Sequence, residues 1–148
     1  MKKNLYSVFK GIFIIALLCV STSAFSQEIR YETTAFIDKD GVRREVNDEA
    51  IKITYYDYGR VLTCVSLGGG DPKYTTFKFK YHHSENGNNV YYLIGKDIIT
   101  GREIPSPNSV IVVSADKSLV NKIFYLRGIR QYTYVYERKD ESHGTMMR

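Results

Sequence analysis

The chain has 148 residues, of which 21 are basic, 16 acidic, 13 tyrosine and none tryptophan. Three of the basic residues, Lys2, Lys3 and Lys10, sit before or beside an apolar run from Gly11 to Val20; beyond Ser26 the balance is 18 basic against 16 acidic residues, a net +2. That excludes a nucleic-acid protein, whose mark is a concentrated basic patch.

The amino terminus reads as an address. A positive stretch, a run too short to span a bilayer and Ala24-Phe25-Ser26 make the three parts of a signal peptide. The expected cut follows Ser26, leaving a single domain of 122 residues and no membrane span. Cys19 follows Ala16-Leu17-Leu18, and Leu18 is too large for a lipid-attachment site. Only Cys64 then remains, so no intramolecular disulfide is expected despite an oxidising compartment, periplasmic or extracellular. Cys64 lies in the apolar run Val61–Val65 and reads as a small buried hydrophobe.

Ile29, Tyr31, Thr33, Ala35 and Ile37 alternate with Arg30, Glu32, Thr34 and Phe36, which predicts a half-buried strand. Asp38 to Gly41 is a turn and Val42 to Val46 a short polar strand. Asn47 to Glu49 breaks the pattern. Asp48 suits a helix cap, but the β-branched Ile51, Ile53 and Thr54 favour a strand. Tyr55 shares the face of Ile51 and Ile53, which sends Tyr56 outward. Asp57 to Arg60 turns into a strand from Val61 to Leu67, and Gly68 to Pro72 is a flexible loop.

The clearest unit follows. Phe77, Phe79 and Tyr81 are expected inside, with Lys78, Lys80 and His82 outside. Asn86-Gly87 marks a hairpin turn, and Val90 to Ile94 returns as the partner strand. Val90 and Ile94 share the face of Tyr92, so Tyr92 is expected in the core and Tyr91 outside. Gly95 to Asp97 turns, and Ile98 to Thr100 reads as a short strand. Pro105 and Pro107 exclude an inner strand before Val110, because each lacks a ladder donor. Val110 to Ser114, Leu119 to Arg127 and Gln131 to Arg138 complete the strands, and residues 139–148 read as a polar tail.

Most strand centres fall about eleven residues apart, and no segment holds a helical period. The expected fold is an all-β antiparallel meander of about eight to ten strands, closed as a barrel or strongly curved, with a two-sheet sandwich as the alternative.

The chemistry is sparse. His82 and His83 are strand neighbours, expected on opposite faces and so unable to share a metal ion, while His143 lies in the tail. Asp38-Lys39-Asp40-Gly41 lacks the ligand spacing of a calcium loop, and Gly68 to Gly70 lacks the Lys-Ser/Thr of a phosphate loop. No catalytic motif appears, no cofactor or metal is expected, and the chain does not read as an enzyme. What stands out is tyrosine. Tyr56 and Tyr91, each the outward member of a doublet, with Lys78 and Lys80, are the candidate ligand-binding residues. They suit a small apolar ligand or a partner protein.

With its signal, hairpin run and closing Tyr134-Val135-Tyr136-Glu137-Arg138, the chain resembles the small exported all-β proteins of unknown function found in Gram-negative bacteria. Its architecture is similar to lipocalin-like barrels, a resemblance that implies a small apolar ligand in the barrel mouth. The lipocalin Gly-x-Trp is absent, so no functional residue is carried over. Two functions follow as expectations: an exported non-catalytic binding module, or an accessory cell-envelope protein that assembles through an exposed strand or tyrosine patch.

Overall fold

The structure, a computed structural model, describes residues 26–71 and 75–140. Residues 1–25 of the expected signal peptide, with Cys19, and His143 lie outside the described residues.

Nine strands run in chain order: β1 Gln27–Ile37, β2 Arg43–Glu45, β3 Ala50–Tyr56, β4 Val61–Ser66, β5 Thr76–Glu85, β6 Asn88–Lys96, β7 Glu103–Val113, β8 Leu119–Leu126 and β9 Ile129–Arg138. Every neighbouring pair is antiparallel. β1 also pairs with β9, from Tyr31 opposite Arg138 to Ile37 opposite Thr133, which closes the sheet. The fold is therefore a closed eight-stranded antiparallel barrel, with β2 as an extra short strand beside the end of β1. Closure leaves the eight main strands without long open edges, which open sheets must otherwise protect.

Turn chemistry sets the register. Asn86 and Gly87 both have positive φ, the backbone a tight two-residue hairpin needs, and Glu85 pairs with Asn88 across them. Arg127 and Gly128 repeat the device between Leu126 and Ile129. The β1–β2, β4–β5, β6–β7 and β8–β9 connections lie at one end of the barrel, here the distal end. The β3–β4, β5–β6 and β7–β8 connections lie at the other, the proximal end.

The interior is filled. Tyr31, Ile51, Ile53, Tyr55, Leu62, Cys64, Phe79, Tyr91, Ile111, Val113, Val120 and Tyr136 form one buried cluster. At the proximal end the Tyr31 hydroxyl lies 2.9 Å from that of Tyr55 and donates to the Lys117 carbonyl at 3.0 Å. Tyr31 has one proton, so Tyr55 must donate to Tyr31. The Tyr91 hydroxyl donates to the Gly59 carbonyl at 2.6 Å. Three tyrosine heads thus plug this end with every proton used.

The structure departs from several expectations. Tyr91, not Tyr92, is the core member of its doublet: it is 2% exposed and pairs with Ile111, also in the core. The run Val90–Ile94 is apolar on both faces, so its pattern does not mark which face is inside. Phe77 and Tyr81 share the inward face of Phe79 but are 46% and 43% exposed, because they lie toward opposite ends of β5, past the core that covers Phe79. Ile98 to Thr100 is a turn, held by Asp97, whose side chain accepts the amides of Ile99 and Thr100. Pro105 and Pro107 do sit within β7, but β8 pairs with β7 only from Ser109 onward. The prolines therefore occupy a segment with one free edge, where the missing donor costs no ladder bond. The expected tail begins one residue late: the Lys139 amide still donates to the Arg30 carbonyl at 2.9 Å.

Candidate functional site

The expected tyrosine patch does not form. Tyr56 points outward and is 40% exposed, but Tyr91 is inside the barrel, so the two share no surface. Lys78 and Lys80 are exposed, as their alternation implies. Both ammonium groups clasp one carboxylate, Glu103 of β7, with Lys78 at 2.7 Å. Their hydrogen bonds hold the Glu103 carboxyl down at about 2. The lysine row is thus a clasp across β6 in which two ammonium groups share one carboxylate, so its positive charge is halved rather than free.

A different site emerges on the outer wall. Val90 pairs with Val112, and Tyr92 with Val110, which pairs in turn with Ile123. These ladders face away from the core and leave an apolar strip across β6, β7 and β8. Three residues of β7, 107–109, stand between the partners of Tyr92 and Leu93, and the strand bends there. The bend makes one wall of a groove of about 320 Å³, lined by His83, Tyr92, Val110, Val112, Ile123 and Tyr125 among others. That volume is at the lower limit for small-ligand sites.

A second irregularity shapes the rim. Tyr81 pairs with Tyr91 and His83 with Val90, so β5 carries one extra residue there. The bulge brings His82 and His83, expected on opposite faces, together: their Nδ1 atoms are 2.7 Å apart, and one must donate to the other. His82 stacks on Tyr92 with ring centres 4.1 Å apart, and His83 meets the same ring edge-on. Tyr92 is held between the imidazoles and the groove floor. No set of three His, Cys, Asp or Glu side chains placed to hold a metal ion occurs among the described residues.

Two other places carry less. A larger groove of about 570 Å³ runs between β1, β2 and β9, but its lining is polar and charged, and Lys139 pairs with Glu32 across it at 3.2 Å. At the distal barrel mouth Phe36, Phe124, Tyr132 and Tyr134 form a half-buried ring cluster with centres 5.1–6.0 Å apart. Beneath it the Tyr136 hydroxyl is buried without a hydrogen-bond partner of ordinary geometry among the described residues. Burial raises its pKa, and the nearby Glu49 carboxylate raises it further.

Cys64 is buried among the core side chains. Burial pushes its thiol up to about 11, and the charge of Lys122 offsets this only in part. A group held as a thiol at neutral pH lacks the reactive form.

No family model matches the chain, and neither a curated protein nor a solved structure does.

Proposed function

We propose that the protein is an exported, non-catalytic binding module that takes a small apolar ligand, or the apolar side chains of a partner protein, in the outer-wall groove over Tyr92, Val110, Val112, Ile123 and Tyr125. The observation that carries this reading is the position of the groove: apolar residues line it on the side of the sheet that does not face the core. The filled interior supports it further, because Tyr31, Tyr136 and Phe79 occupy the space a lipocalin-like ligand would need. Assembly through an exposed strand is less well served. β2 is three residues long and reads Arg-Arg-Glu, a short charged edge of the kind that discourages strand addition.

An uncharged apolar fluorophore such as Nile red tests the groove. The wild-type protein should bind it with a blue-shifted emission. Val112→Asp and Ile123→Asp, which face outward, should weaken binding about tenfold or more through lost apolar contact, while melting near the wild-type temperature. Unchanged binding in both folded variants would remove the proposal.

Export rests on the signal-like start of the sequence. Intact mass of the protein recovered from the periplasm or medium should correspond to a chain beginning at Gln27. A retained residue 1–26 segment, or a lipid on Cys19, counts against it.

A further inference from the structure

Two charged side chains point into the distal mouth of the barrel. On β8, Val120 pairs with the core residues Val113 and Tyr136, so Lys122, two residues on, faces inward too. Lys122 stands between Ile111 of β7, a core residue, and Tyr134 of β9. Glu49, at the entry to β3, precedes the core residue Ile51 by two positions and shares its face. Both charges reach the buried Cys64 thiol, Lys122 lowering its pKa and Glu49 raising it.

Neither charge has a charged partner. Lys122 and Glu49 make no ion pair, with each other or with any other side chain, among the described residues. Both are half-buried, where an unpaired charge is costly. Beside Glu49 lies the fully buried Tyr136 hydroxyl, which also lacks a partner of ordinary geometry among the described residues. Glu49 is fixed in place: the Thr33 amide donates to its carbonyl and its own amide donates to the Thr33 hydroxyl, both at 2.9 Å.

Aromatic walls stand on both sides of this polar set. The packed rings of Phe36, Phe124, Tyr132 and Tyr134 make one. Phe77 makes the other, because three strands separate β5 from β9 in either direction around the barrel. Phe77 faces inward, is nearly half exposed and makes no ring contact among the described residues. The two walls are therefore unjoined across the mouth, beside one ammonium, one carboxylate and one hydroxyl.

We propose that the distal mouth binds a zwitterionic small molecule with an aromatic side chain, of the class of a free aromatic α-amino acid. Lys122 donates to its carboxylate and Glu49 accepts from its ammonium. Its ring enters between Phe77 and the rings of β8 and β9, where offset and edge-to-face contacts are favourable. The balance of charge selects this class. An apolar acid would satisfy Lys122 but set its carboxylate against Glu49, and an apolar amine would set its ammonium against Lys122. The site is separate from the outer-wall groove, whose lining faces away from the core, and does not depend on it.

The chain contains no tryptophan, so fluorescence excited beyond the tyrosine band reports an indole ligand alone. Titrating L-tryptophan with the protein as cells produce it should shift the indole emission. Indoleacetate, which lacks the ammonium, and tryptamine, which lacks the carboxylate, should each bind about tenfold more weakly. Lys122→Met should cost tryptophan about tenfold and tryptamine nothing, while Glu49→Gln should cost tryptophan about tenfold and indoleacetate nothing. Tyr58→Asn, at the proximal end, should match the wild type with all three ligands. Circular dichroism melting shows whether each variant is folded, and the three ligands on the wild type decide the matter where one is not. Absent tryptophan binding, equal binding of the three indoles, or tryptophan binding that survives both changes in folded variants overturns the proposal. So does tryptophan binding that is lost in Ile123→Asp and kept in the Lys122 and Glu49 variants, which would place the ligand in the outer-wall groove.

Discussion

Phe79→Ala should destabilise the fold by about 3–5 kcal/mol, the cost of truncating a fully packed aromatic ring. Phe79 is 1% exposed and sits opposite Leu62 on β4 and Leu93 on β6, so its loss leaves a void that three strands must close around. In a domain of this size that corresponds to a fall in melting temperature of about 10–25 °C. Phe77→Ala, two residues earlier on the same face, should cost only about 1 kcal/mol, because nearly half its ring is already in solvent. Lys78→Ala should be close to silent, since the exposed clasp keeps Lys80 on Glu103. Urea unfolding of the three variants makes the comparison. Equal losses at Phe77 and Phe79 would mean that the packed barrel core extends past Phe79 toward its distal end.

Stability should fall steeply in alkali. Burial raises the pKa of Tyr31, Tyr55, Tyr136, Tyr91 (to about 12) and Cys64 (to about 11). In the unfolded chain the tyrosines ionise near pH 10 and the cysteine near pH 8.5. Each is an acid whose neutral form the fold prefers. Below its unfolded value both states hold the proton and the fold is unaffected. Above it the unfolded chain has released a proton that the fold retains, so the unfolded state gains with every further rise in pH. The slope is about 1.4 kcal/mol per pH unit for each such group. Stability is therefore intact below about pH 8.5, begins to fall as Cys64 would ionise, and drops several times faster once the tyrosines join above about pH 10. Denaturant midpoints across this range test the slope, with tyrosinate absorbance recorded beside them. A midpoint that stays level from pH 9 to 11, or tyrosinate signal from the core that appears before the circular dichroism is lost, would contradict the buried placement of these hydroxyls.

All nine strands were legible in the sequence because the turn residues punctuate it and the first strands alternate cleanly. Facing was legible only where one face is polar. Ile51-Lys52-Ile53-Thr54-Tyr55 has such a face, and Tyr55 is in the core. Val90-Tyr91-Tyr92-Leu93-Ile94 has none: apolar groups line the core on one side and the groove on the other. The groove was invisible for the same reason, since Val110, Val112 and Ile123 look like core residues whichever way they point. The bulge at His82 adds a residue without any glycine to mark it, so strict alternation misplaced the histidine pair. Ile98 and Ile99 read as a strand because β-branched residues usually are one; the hydrogen bonds from Asp97 decide otherwise.

The seam between β1 and β9 joins residues about a hundred positions apart, such as Thr33 and Tyr136. No shorter piece of the chain can close the barrel, and the core tyrosines Tyr31 and Tyr136 come from those same two strands. A ribosome must release nearly the whole chain before the fold can complete. Contacts of such long separation also form slowly once the chain is free. A protein built this way cannot close its barrel until both seam strands have been made. It also tolerates little truncation at its carboxyl side: removing β9 would take away the last stave, and the remaining strands would present two raw edges to their neighbours.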